Sequence, residues 1–232
     1  MRSWIRNTAA ALLACAVTAP AHAGPAIDWD PAYFYAAGAT PYSSPPGTQL
    51  FIVGTISSFG PPLNFLNPND PAKEYTFYLS GLTSLGTSTT PIPGFGNAYL
   101  ATYDPGVIQV YEGSPRDADF GINPPNGTAP STFTNGTLLL SGTVNSFYTQ
   151  TNDFSTFMTG NAEGNITWTG GTLLSFVSKN GQPCPSLFTG GLTWLPSVMI
   201  PGYLFRHDGK IDLDCPTPSQ SSTWGRLKSL YR

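Results

Sequence analysis

Three Asp-x-Asp pairs, Asp28/Asp30, Asp117/Asp119 and Asp212/Asp214, are the residues whose type and spacing come nearest to chemistry. On a strand this spacing puts both carboxylates on one face. In a loop it can chelate calcium, a hard cation that takes about six to eight oxygen ligands. Asp117 and Asp119 lie in an irregular stretch, so they are the candidate metal ligands. A structural calcium ion is the only cofactor the sequence suggests. None of the pairs continues into the Asp-x-Asp-x-Asp-Gly run of a calcium loop. Two carboxylates about 5–10 Å apart would also suit glycoside hydrolysis, but spacing alone brings no two of these together.

Nucleophilic chemistry has less to work with. After residue 23 the chain holds one histidine, His207, so any Ser-His-Asp set must run through it. The following Asp208-Gly209 reads as a two-residue hairpin turn, which puts His207 on a solvated face. There is no G-x-S-x-G, H-E-x-x-H or phosphate-binding glycine loop. No catalytic or cofactor-binding residue is assigned. Cys184 and Cys215 are an even pair, and in an oxidising compartment they predict a disulfide.

The compartment is read from the first residues. Arg2 and Arg6 precede an apolar run from Thr8 to Val17, and Ala21-His22-Ala23 has the A-x-A form of a cleavage site. Residues 1–23 are therefore expected to be a signal peptide and the protein exported, to the periplasm, the cell surface or beyond. Leu12-Leu13-Ala14-Cys15 offers an alternative, a lipid anchor on Cys15. No later stretch reaches the roughly 18 apolar residues of a membrane-spanning helix.

Composition narrows the partners. Charged residues are 10% of the chain and aromatics 13%, the reverse of a disordered sequence. Without Arg2 and Arg6 the chain carries eight basic and thirteen acidic residues, a net charge of −5. That balance argues against nucleic acid, whose binding relies on clustered Lys and Arg. Residues 217–232 differ: a Pro/Ser linker leads to a basic, aromatic tail with Arg226, Lys228 and Arg232. If helical, Trp224, Leu227 and Tyr231 share one face. This tail is expected to dock on a protein partner or a neighbouring copy, or to fold back on its own domain.

These residues must be positioned by β-structure, because no segment shows a capped 3.6-residue apolar period. Leu50–Ile56 and Tyr75–Ser80 read as strands. Leu82–Asn97 reads as turn-rich, and Asp104-Pro105-Gly106 as a hairpin turn between Ala98–Tyr103 and Val107–Tyr111. The centre is Thr134–Val177, framed by two Gly-Thr-Leu-Leu copies at Gly136 and Gly171 that read as strand starts. Roughly ten short strands with long Pro/Gly loops predict a single all-β domain over residues 24–216. A two-sheet antiparallel β-sandwich is expected, with a β-barrel as the alternative. The function expected is that of an exported, non-catalytic binding or surface-structural protein, with a carbohydrate or cell-surface component as partner. The alternatives are a carbohydrate-active enzyme using paired aspartates and a surface protein anchored through Cys15.

Overall fold

A computed structural model describes residues 24–94, 96–121 and 130–215. The leader with Cys15 and the tail carrying Trp224, Arg226, Leu227, Lys228 and Tyr231 lie outside the described residues.

The described chain is all-β. The long elements are β1 (Ile27–Tyr35), β2 (Gln49–Phe59), β3 (Glu74–Ile92), β4 (Gly96–Tyr103), β5 (Gly106–Gly113), β6 (Thr137–Asp153), β7 (Met158–Gly170), β10 (Ser186–Trp194) and β11 (Phe205–Leu213). A short hairpin, β8 (Ser178–Lys179) with β9 (Gln182–Pro183), and one helical turn, α1 (Ser131–Thr134), sit in the connections.

Every long strand except the β4/β5 couple pairs antiparallel with its sequence neighbours, and β1 also pairs with β11. The sheet therefore closes on itself as an eight-stranded up-and-down barrel, and the expected sandwich is replaced by its alternative. Closure leaves no long strand edge for another chain to extend. The count of eight treats β4 and β5 as one interrupted strand. Ser84 faces Tyr103 and Ser80 faces Val107, so β4 and β5 run end to end between β3 and β6. Asp104-Pro105-Gly106 is thus a break within a strand, not a hairpin turn. Leu82–Asn97, expected to be turns, is mostly the second half of β3 and the start of β4.

Alternation decides which side chains fill the barrel. On β6 the inward positions are Leu140, Gly142 and Val144, then Phe147, Thr149 and Thr151 after an irregularity at Ser146, whose φ is +53°. On β7 they include Ala162, Gly164, Ile166 and Trp168. Outward rows on the same strands are polar: Thr143 pairs with Thr167, and Asn145 with Asn165. Apolar inside and Thr/Asn outside is the reverse of a membrane-spanning barrel, which puts its apolar band on the lipid face.

Large rings share the lumen with glycines. A Cβ on Gly54 would lie 2.3 Å from the Phe77 ring, and one on Gly164 would lie 2.8 Å from Phe147. A second apolar layer forms outside β1 and β2. There Tyr33, Val53, Phe133 and Tyr203 pack together with Ala118 and Phe120 from the loops. Tyr203 Oη donates to the Phe120 carbonyl at 3.2 Å and ties two loops together. This layer explains why Leu50–Ile56 is apolar at successive positions from Leu50 to Val53. Its even positions face the lumen, and Val53 is covered from outside.

Candidate functional site

The lumen is the first place to look for a site, because eight-stranded barrels of this size can hold one small ligand. Here it is filled. Trp29 packs 4.7 Å from Phe77 and 4.9 Å from Phe188, and Phe147 lies 5.7 Å from Phe188. A partly open space under the 40–44 loop, lined by Ser44, Thr149 and Thr151 among others, measures about 20 Å³, room for roughly one water.

His207 belongs to this packed lumen, contrary to the sequence expectation. β11 runs straight through Asp208-Gly209, and His207 is 0% exposed. A turn here would break the pairing of β11 with both β1 and β10, which continues across Gly209. Trp29 Nε1–H donates to His207 Nδ1 at 3.1 Å, so the ring is neutral with its proton on Nε2. It stacks on Phe188 at 5.3 Å and lies 5.2 Å from Phe34. Burial pulls its pKa down to about 3, opposed in part by the Gly190 carbonyl. Nε2 makes no well-formed hydrogen bond, and no carboxylate orients the ring. His207 is a core residue, not half of a catalytic dyad.

Four of the six paired aspartates are engaged by neighbouring groups. Asp117 accepts two hydrogen bonds from Asn135 Nδ2, at 2.9 and 3.1 Å. Asp119 closes a turn by accepting from Gly121 N–H at 2.7 Å. The loop carrying both is held by Glu74, a buried carboxylate that accepts from the backbone N–H groups of Asp117 and Ala118 at 3.0 and 3.1 Å. Asp30 pairs with Arg206, and Asp212 with Lys210, on the outer wall of β1 and β11. Asp28 sits on the same wall, its pKa raised by burial and then by Asp208. Among the described residues no three His, Cys, Asp or Glu side chains converge as a metal-binding group. Cys184 and Cys215 form a disulfide, with Cα atoms 4.7 Å apart, fixing the chain after β11 to the loop before β10.

What remains is a contrast between the two ends of the barrel. The connections at one end, residues 60–73, 114–136 and 171–185, carry Asp70, Lys73, Arg116, Asp117, Asp119 and Lys179. At the other end, residues 36–48, 154–157 and 195–204 contain no charged residue. Instead they present apolar side chains. Five of the ten large hydrophobic residues exposed in the described chain are here: Tyr42, Phe154, Phe157, Leu195 and Val198. They are contiguous. Tyr42 packs edge-on against Tyr99 and Trp194 at 5.6 and 6.4 Å. Trp194 pairs in register with Met158, which sets Leu195 beside Phe157. Phe157 stacks on Phe154 at 5.1 Å. Val198 turns back on Leu195 through a 3.0 Å backbone hydrogen bond. Contiguous exposed apolar surface of this kind marks contact sites on soluble proteins.

No motif in the sequence marks these residues. The signal available was a set of aromatic and aliphatic residues inside turns, where polar residues are the rule. A second surface feature lies on the barrel wall, an open groove of about 530 Å³ lined by Leu85, Leu100, Thr102, Ser146, Tyr148 and Gln150. Tyr148 Oη donates to Glu163 at 2.9 Å.

Comparison with protein-family models, with curated proteins and with solved structures gives no match to this chain.

Proposed function

We propose that this is an exported protein that acts by contact, as a binding or surface-structural barrel, and that its contact surface is the uncharged loop end. The observation that carries the reading is the concentration of exposed Tyr42, Phe154, Phe157, Leu195 and Val198 at that end, opposite the charged loops. The packed lumen supports it as well, because Trp29, Phe77, Phe147 and Phe188 occupy the space a ligand would take. The partner expected is a component of a cell surface.

The paired-aspartate enzyme loses its support, since Asp30, Asp117 and Asp212 are each engaged by a neighbouring side chain. A carbohydrate partner retains one specific observation, the wall groove lined by Leu85, Leu100, Tyr148 and Gln150. Aromatic rings and amides are the groups that meet sugar faces and hydroxyls.

The test is retention. The protein is expressed in its own host with its native leader, and the envelope and medium fractions are compared for wild type and F154S/F157S. The double variant is expected to move to the medium with an unchanged melting temperature. Equal retention of both proteins would refute the assignment of this end as the contact surface.

A further inference from the structure

We infer that the partner of the loop end is a lipid bilayer, which the barrel meets end-on by inserting its apolar loop tips into the interface. This rests on the reading of that end as the contact surface.

Three observations select lipid over other partners. The first is shape. The exposed residues come from three separate connections, so they are distributed over several loop tips around the barrel mouth. Tips of this kind can each enter a soft interface without a matching concave partner. The second is side-chain chemistry. Tyr42 meets Trp194 at 6.4 Å and Phe154 meets Phe157 at 5.1 Å, and Trp194 and Met158, next to Phe157, are paired in register. Tyr and Trp favour the headgroup level of a bilayer, while Phe and Leu favour the acyl boundary below it. The third is charge. These loops carry no charged side chain, and Asp153 at the end of β6 is held by the Ser155 N–H at 2.7 Å. An end without Lys or Arg has no affinity for anionic headgroups, so the association is apolar and indifferent to salt.

The wall below limits the depth of insertion. Thr159 and Asn161 on β7 and the Arg206–Asp30 ion pair face outward beneath the rim. Burying these groups in hydrocarbon is unfavourable. The tips therefore reach the interface and the barrel body stays in water, with the disulfide and the charged loops at the far end.

The experiment is flotation of the full mature chain, residues 24–232, with phosphatidylcholine vesicles at about 0.1 and about 0.5 M NaCl. F154S/F157S is compared with F65S/F176S, which removes the exposed ring pair in contact at 4.8 Å at the charged end. W224S/Y231S tests the tail. Wild type is expected to float equally at both salt concentrations. F154S/F157S should lower the partition coefficient by about tenfold or more, while the other two variants float as wild type does. Failure of wild type to float overturns the inference. So does a loss shared equally by both Phe pairs, or one confined to the tail variant. If wild type does not float but F154S/F157S dissolves a dimer or releases the protein from its host envelope, the bilayer falls and the contact surface stands. If the double variant changes none of these readouts, both fall.

Discussion

Acid should destabilise this barrel through His207. The ring is fully buried, accepts from Trp29 and is enclosed by Phe34, Phe188, Gly190 and Gly209, with no charged group against it. Its pKa falls to about 3 in the folded chain, whereas an unfolded histidine titrates near 6.5. The folded state therefore binds this proton more weakly than the unfolded state does. Above about pH 6.5 neither state is protonated here and the group has no effect. As pH falls from 6.5 towards 3 the unfolded state gains protons first, and stability is lost. At pH 4.5 the loss is about 2–3 kcal/mol, and the full span is on the order of 5 kcal/mol. Carboxylates also titrate in this range, so the assay is a comparison. Urea unfolding of wild type and H207Q is followed at pH 7 and pH 4.5. Gln keeps an acceptor for Trp29 Nε1 but does not titrate. Wild type should lose about 2–3 kcal/mol more than H207Q between the two pH values. An identical loss in both proteins would show that His207 is not held neutral in the lumen, and the reasoning would fail.

Other outcomes follow from the same packing. Reducing the Cys184–Cys215 bridge, or C184S/C215S, should lower stability by about 3–4 kcal/mol in urea titrations, given the separation of 31 residues. Gly54→Ala forces a Cβ to 2.3 Å from the Phe77 ring and should cost about 1–3 kcal/mol, read as a lower melting temperature. Glu74→Ala leaves the N–H groups of Asp117 and Ala118 without their acceptor; hydrogen exchange in residues 114–121 should rise, with about 2–3 kcal/mol lost overall. EDTA should leave the melting temperature unchanged, because Asp117 and Asp119 already serve Asn135 and Gly121.

Much of the barrel was legible in the sequence where one rule acted alone. Leu50–Ile56 and Tyr75–Ser80 are strands because β-branched and aromatic residues fill a pleated surface, and the cysteine pair announced its bridge. Two of the misreadings share one cause, turn chemistry overruled by pairing. Asp208-Gly209 has the composition of a hairpin turn, yet β1 and β10 flank it on both sides. Gly209 is needed there because a Cβ would meet His207 at 2.5 Å. Asp104-Pro105 interrupts a strand and does not reverse it, because β3 and β6 continue past it on either side. Gly171 is the opposite case: expected to start a strand, it opens the turn after β7, with φ of +99° and the Leu173 N–H bonded to the Leu139 carbonyl. Sandwich and barrel share the same alternation, so only the β1–β11 pairing separates them, and that contact spans nearly the whole chain. The loop end was illegible for the same reason. Tyr42, Phe154 and Trp194 are far apart in sequence, and only closure of the barrel gathers them.

The most direct test of the central claim is photo-crosslinking from the two ends of the barrel in the host envelope. A photoreactive phenylalanine analogue is placed at position 157 in one protein and at position 176, in the charged-end loop, in another. The account predicts adducts with an envelope component from position 157 and none from position 176. Adducts from 176 alone, or in equal yield from both positions, would contradict it.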